Sequence, residues 1–209
     1  MLTRRLGLRE YSEVWSLQKD LVERRLAGEA ADTLLLCEHP PVYTRGRSAQ
    51  TAPAPSLPHP LFEIERGGDI TYHGPGQLVG YPIMDLRARG LGARSYLRLL
   101  EEALMRAVSK LGIRGERVAG LTGVWAQGKK IASLGVAVRA ARVSYHGFAL
   151  NVNVDLAPFR MIHPCKLEPG AIGSLAALLG GPLDMEEAAR LVQESVESVF
   201  ESRPEPVAA

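Results

Sequence analysis

The hydrophobic positions of this chain change period several times, and each change marks an element. Over 10–27, Tyr11, Val14, Trp15, Leu17, Leu21, Val22 and Leu26 recur at three- and four-residue steps, which predicts a helix stopped by Gly28. TLLLC at 33–37 is a short continuous apolar run and predicts a buried strand. From Glu38 to Pro60 the period vanishes among prolines, so this stretch predicts a long loop crossing the surface. FEIE (62–65), DITY (69–72) and QLVGYPI (77–83) predict strands, joined by Gly67-Gly68 and by His73-Gly74-Pro75-Gly76. Residues 95–111 return to the helical step and end at Gly112. TGVWA and KIASLGVAV flank Gln127-Gly128 and predict a hairpin, and VSYHGFALNVNV predicts a strand after the turn at 140–142. Residues 155–183 read as irregular. Asp184 with Glu187 three positions on is a capping-box signature, opening a helix with Ala188, Leu191, Val192, Val196, Val199 and Phe200 on one face.

The strands gather in two hairpin-rich groups with a few helices outside them. That predicts an α+β fold with a mixed or antiparallel sheet and flanking helices, not alternating βαβ units. There is no repeat and no linker, and 209 residues suffice for one generous domain. Residues 1–209 therefore read as a single domain, with 204–209 as a frayed tail.

Composition narrows the classes by exclusion. Hydrophobic residues make up 46% and charged residues 23%, an ordinary globular balance. Lys+Arg exceed Asp+Glu by 25 to 23, too little for a chain that lives on a phosphate backbone, so no nucleic-acid partner is expected. No apolar run approaches the ~18 residues of a membrane span, and MLTRRLGLREYSEVW contains no uninterrupted apolar core of a signal peptide. Two cysteines exclude a disulfide framework and suit a reducing compartment, so the expected location is cytoplasmic. The chain has 20 Arg to five Lys, two Asn and 14 Pro. That bias fits heat adaptation and equally fits GC-rich codon usage.

Two nucleotide motifs nearly match and fail. Gly123 to Lys129 has the GxxxxGK spacing, but Lys130 stands where Ser or Thr must hold Mg²⁺, and a strand-like run follows where a helix is needed. His73 to Gly80 resembles a dinucleotide turn with the last glycine one place late and Pro82 where a helix should run. Cys37-x-His39 and His163-x-Cys165 supply zinc-ligand types, but one intervening residue strains the chelate. No metal and no cofactor are expected.

Other groups carry chemistry better. Cys165 lies in the loop-like RMIHPCKLEPG, with His163, Lys166 and the distant Lys129-Lys130 pair as cations that favour a thiolate. From local sequence alone an inert, half-buried thiol remains the alternative. Lysine is scarce here, and adjacent strand residues face opposite ways, so one of Lys129 and Lys130 is placed to face inward. Partial burial lowers a lysine pKa towards the range useful for proton transfer. The run from Arg66 to Gln77 holds glycines that permit close approach to the backbone, but turns alone do not explain Arg66, Thr71 and His73 together. His39 and His59 read as structural, hydrogen-bonded histidines.

Taken together, HPPVYTRGR (39–47), RGGDITYHGPGQLVGYPI (66–83), GVWAQGKKIASLGV (123–136), SYHGFALNVNVDL (144–156) and HPC…GSL (163–175) resemble the lipoyl (octanoyl) transferases, in that family's order. The resemblance implies a fold like the catalytic domain of biotin protein ligases and lipoate ligases. It implies Cys165 as nucleophile and Lys130 as its catalytic partner. It makes Arg66, Gly67, Gly68, Asp69, Ile70, Thr71, Tyr72 and His73 an acyl-binding loop, with Ser133, Leu134, Gly135, His146, Gly147 and Phe148 as further substrate contacts. Tyr72, Leu134 and Phe148 are the expected acyl-lining side chains. Lys166, Gly173 and Arg45 depart from the family's usual Gly, Thr and Leu.

The implied reaction moves an octanoyl group from octanoyl-acyl carrier protein to a lysine of a lipoyl domain. The implied acceptors are the 2-oxoacid dehydrogenase complexes and the glycine cleavage H protein. A thiolate attacking a thioester yields another thioester, and an amine then yields an amide, so no ATP is required. The alternatives are an ATP-dependent lipoate–protein ligase on the same fold and a non-catalytic module that binds acyl carrier protein or lipoyl domains. The presence of both Cys165 and Lys130 argues against the second.

Overall fold

The computed structural model describes residues 1–49, 57–162 and 169–201. A six-stranded sheet runs in the order β1 (Leu2–Leu8), β2 (Thr33–Glu38), β6 (Gln77–Ile83), β9 (Val143–Asn151), β8 (Lys129–Arg139), β7 (Val124–Ala126). Only the β1–β2 pair in it is parallel. A three-stranded sheet runs β4 (Leu61–Glu63), β3 (Val42–Arg45), β5 (Ile70–His73), parallel then antiparallel. Helix α1 (Tyr11–Leu26) covers one face of the larger sheet, while α2 (Ala93–Ser109) and α4 (Met185–Glu201) pack on the other. A short α3 (Leu175–Leu179) precedes α4.

The continuous apolar run of β2 follows from this layering. Leu34 and Leu36 enter the cluster under α2 and α4, and Leu35 and Cys37 enter the one under α1. A strand covered on both faces has no polar side to alternate with. The expected α+β class, the helices at 10–27 and 95–111 and the 122–138 hairpin all appear with ends shifted by at most two residues, and the strand at 77–83 appears with the ends expected.

Three elements differ from expectation. Residues 38–60 are not all loop, because β3 lies within them with Val42, Tyr43 and Thr44 buried. Its four residues sit among prolines and gain their order from distant partners, β4 and β5. The N-terminal β1 is an edge strand whose exposed Arg4 and Arg5 erase an apolar pattern, and such charges discourage edge pairing. Within 155–183, Ser174 caps α3 by accepting the Ala177 N–H, and Gly180 ends it in the left-handed region at φ 78°. Five residues are too few to show a helical period. At α4 only half of the capping box forms. Asp184 accepts the Glu186 N–H, while Glu187 turns to Arg190. The expected tail at 204–209 lies outside the described residues.

The far end of the sheet is held by charge. Asp32, at the start of β2, accepts from Arg25 at 2.8 Å, from Arg89 at 2.7 Å and from the Asp85 backbone N–H at 2.9 Å. Arg142 closes on Asp85 at 2.8 Å, and Arg89 also binds the Phe200 carbonyl. Burial alone would raise the Asp32 pKa, but these donors together lower it below the ordinary carboxylate value. The stabilisation is therefore complete above that ordinary value and lost as pH falls through the lower, folded one. Asp32→Ala is expected to cost about 3 kcal/mol, because it removes the buried carboxylate shared by two partly buried guanidinium groups. Urea unfolding at neutral pH checks this, and a variant as stable as the parent would refute the clamp.

Candidate active site

A cavity opens between the first turn of α1, the segment from Ile64 through β5 to His73, and residues of β6, β8 and β9. Counted together with the solvent-open space at its mouth, it encloses about 550 Å³. Small side chains create it. Ser133 lies opposite Ala149, and Gly135 opposite Gly147, so four small residues share one patch of sheet. Nothing on that patch fills the space beneath the loop.

Gly135 also brings the loop close. A Cβ on Gly135 would sit 2.9 Å from both Arg66 Cδ and the Gly67 carbonyl oxygen. The Gly67 N–H donates to Val136 at 3.0 Å, fastening the loop to β8. Arg66 is buried and donates through Nη2 to the Thr44 carbonyl and hydroxyl.

Of the residues implied by sequence, Arg66, Gly68, Asp69, Ile70, Thr71 and His73 line the cavity. Ser133, Leu134, Gly135, His146, Gly147 and Phe148 line it as well. Gly67 and Tyr72 do not. Gly67 is spent on the bond to β8. Tyr72 turns to the opposite side, where its ring packs 5.2 Å from Tyr43 and 5.5 Å from Phe159. Of the three expected acyl-lining side chains, Leu134 and Phe148 thus reach the cavity and Tyr72 does not. The lining also includes Tyr11, Ile64, Val79, Tyr81 and Ala149, which sequence alone assigned to core or to plain strand.

His146 sits within β9 at φ 55°, a left-handed conformation unusual for a side-chain-bearing residue in a strand. Its N–H is taken by Gln18 Oε1 at 2.9 Å, and its Nε2 lies 3.3 Å from Glu65, which Trp15 also approaches at 3.1 Å. Burial pushes the His146 pKa down to about 4, against the pull of Glu65. Glu65 is held low despite burial by its backbone, His146 and Trp15 contacts. A neutral ring facing a carboxylate donates from Nε2, which leaves Nδ1 as an acceptor.

His39 has the structural role expected of it. Its Nδ1 meets the Arg9 carbonyl and its Nε2 the Tyr81 hydroxyl, both at 2.7 Å, and burial takes its pKa to about 4. His59 stacks beside Tyr43, with ring centres 6.2 Å apart. Burial, and then Glu38, push the Cys37 thiol far above the ordinary range, so this cysteine is an inert core group.

The two lysines face as strand geometry requires. Lys129 is exposed and donates to the Gly170 carbonyl at 2.7 Å. Lys130 is 3% exposed, with Nζ 5.1 Å above the Trp125 ring. A Cβ on Gly123 would come within 2.6 Å of Lys130 Cε, so that glycine opens the path of the lysine stem. The Lys130 backbone bridges Ile172, and its carbonyl accepts the Gly173 N–H at 3.0 Å. Cys165 and the neighbouring His163 and Lys166 lie outside the described residues. The turns on either side of that segment, Ala157–Met161 and Pro169–Ala171, pack against each other. The near phosphate loop, Gly123 to Lys130, spans β7, a turn and β8, with no helix behind its glycine. Among the described residues no three His, Cys, Asp or Glu side chains are grouped to hold a metal ion.

Residues 10–197 match the family model of the lipoyl protein ligase A/B catalytic domain. The chain belongs to this family. It is 50% identical to an octanoyltransferase of Geobacter sulfurreducens over 186 residues, covering 88% of this chain and 77% of that one. It is 46% identical to an octanoyltransferase of Mycobacterium tuberculosis over 196 residues, covering 92% and 84%. Its fold matches lipoate-protein ligase A bound with ATP at a TM-score of 0.78, with 17% identity over 96% of this chain and 86% of that one. The biotin protein ligase of Aquifex aeolicus with biotin and ATP matches at 0.62, with 14% identity over 96% and 71%. The fold anticipated from sequence, shared by these two ligase types, is therefore the fold observed.

Proposed function

We propose that this chain, acting as one catalytic domain in the cytoplasm, transfers an octanoyl group from octanoyl-acyl carrier protein to a lysine of lipoyl domains. The acceptors are those of 2-oxoacid dehydrogenase complexes and the glycine cleavage H protein. The observation that carries the reading is near-half identity to octanoyltransferases along most of the chain, together with the buried Lys130.

In this reading the resting site is a Cys165 thiolate paired with a Lys130 ammonium. The sulfur attacks the donor thioester carbonyl. A bond forms between Cys165 Sγ and the acyl carbon, the donor's C–S bond breaks, and the departing thiolate takes a proton from Lys130. Thioester replaces thioester, so the step is close to neutral in energy. The acceptor lysine then attacks as a free amine and gives its proton to the neutral Lys130. The new C–N bond displaces the Cys165 thiolate, and the starting ion pair returns. The amide product makes this second step downhill. Burying an octanoyl tail against Ile64, Val79, Leu134 and Phe148 contributes about 5 kcal/mol at ~0.8 kcal/mol per methylene, enough to hold the donor for reaction.

Mixing the chain with octanoyl-acyl carrier protein and an unmodified lipoyl domain, without nucleotide or metal, tests the proposal. The lipoyl domain is expected to gain one octanoyl group by intact mass. Modification that instead requires free octanoate and Mg-ATP would assign the chain to the ligases.

A further inference from the structure

A line of buried hydrogen bonds runs from Arg66 in the cavity lining to Gly173, whose N–H continues it to the Lys130 carbonyl. Gln77 Nε2 donates to Asn151 Oδ1 at 2.9 Å and to the Tyr72 carbonyl at 3.3 Å. Its Oε1 is then the acceptor that faces His73 Nδ1 at 2.7 Å, so Nδ1 carries the proton. Burial, and then His39, drive the His73 pKa down to about 3, so the ring is neutral and its Nε2 holds a lone pair. That lone pair takes the Thr44 hydroxyl at 3.4 Å, and the Thr44 oxygen in turn accepts from Arg66 Nη2 at 3.0 Å. At the other end Asn151 Nδ2 donates to the Gly173 carbonyl at 2.9 Å, and the Gly173 N–H donates to Lys130 O at 3.0 Å.

Every donor in the line points the same way, from Arg66 towards Lys130. Flipping the Gln77 amide would set donor against donor at His73 and acceptor against acceptor at Asn151. Protonating His73 would make the Thr44 hydroxyl turn its hydrogen away and accept from both His73 Nε2 and Arg66. With His73 neutral, every donor in the line meets an acceptor, as in a fully satisfied buried network. The line also removes His73 from acid–base chemistry, because both ring nitrogens are committed to protein groups.

Position gives the line its consequence. Gln77 and Asn151 are a cross-strand pair at the end of β6 and β9. Beyond them, Gly173 is held against β8 by Asn151 and by the Lys130 carbonyl. We propose that Gln77 and Asn151 are positioning residues for acyl transfer, holding the Gly173 segment against the Lys130 backbone and so fixing where Lys130 stands relative to the acyl cavity. This rests on the octanoyl-transfer reading given above.

Gln77→Met and Asn151→Leu keep side-chain shape and remove the polar links. Each is expected to lower kcat by about tenfold to a hundredfold, since small misplacements of reacting groups cost that much. KM for octanoyl-acyl carrier protein should stay within about threefold, because the cavity lining is untouched. The double variant should be no worse than about threefold below the poorer single, since both changes cut one line. Thr44→Val cuts the line nearer the cavity without touching strand pairing, and decides the matter on the same kcat criterion if Asn151→Leu does not fold. Unchanged kcat with lowered melting temperature, a loss confined to KM, or additive losses would each overturn the proposal. A parent chain that transfers no octanoyl group overturns the functional reading and this one with it, whereas an active parent with unaffected variants overturns this one alone.

Discussion

Cys165→Ala is expected to abolish both the acyl-enzyme and turnover. The parent chain, mixed with octanoyl-acyl carrier protein alone, should gain one octanoyl group that hydroxylamine removes, as a thioester does. The variant should gain none, and transfer to a lipoyl domain should fall at least ~10³-fold, the scale of losing a nucleophile. The other cysteine supplies the control. Cys37 lies within β2, a strand buried on both faces, and burial raises its thiol far above the ordinary value, so it is neither ionised nor accessible. Cys37→Ala is therefore expected to keep turnover and the adduct. An adduct that persists in Cys165→Ala would end the assignment, and one that vanishes in Cys37→Ala would move it.

Several of these features were legible from residues alone, for identifiable reasons. The opposite facing of Lys129 and Lys130 follows from the two-residue repeat of a strand once the hairpin is recognised, and the structure exposes one and buries the other. The helices at 11–26 and 93–109 carry their period locally. The cavity does not. It arises where Ser133, Gly135, Gly147 and Ala149 meet across β8 and β9 and a loop from elsewhere in the chain covers them. No window of sequence contains that juxtaposition. Tyr11, Val79 and Tyr81 give the same apolar signal whether the space above them is filled or open. β3 was hidden because strand order there comes from distant partners, and proline on both sides outweighs four residues of strand propensity. The line through Gln77 and Asn151 was invisible for the same reason, since a polar residue within a strand reads as solvent-facing until its partners are known.

Lys130→Met is expected to slow transfer by about 10² to 10³-fold, in the range of a lost acid–base group. Methionine keeps the buried stem in the channel that Gly123 leaves open, over the Trp125 ring, so packing changes little. The change removes a proton carrier and a charge. An ammonium near a thiol favours the thiolate, so the Cys165 thiol of the parent should ionise below the ordinary thiol value. Following alkylation by iodoacetamide against pH reads that ionisation directly. The sign is fixed: with the cation gone, the thiolate is less favoured and the midpoint moves to higher pH. Lys129→Met tests the specificity of the effect. Its ammonium is exposed and bonded to the Gly170 carbonyl, and solvent and salt screen its field, so the midpoint should hardly move. Lys166 is the rival source of charge, being next to Cys165 in the chain. Should Lys166→Met shift the midpoint while Lys130→Met leaves it in place, Lys166 and not Lys130 sets the reactivity of Cys165.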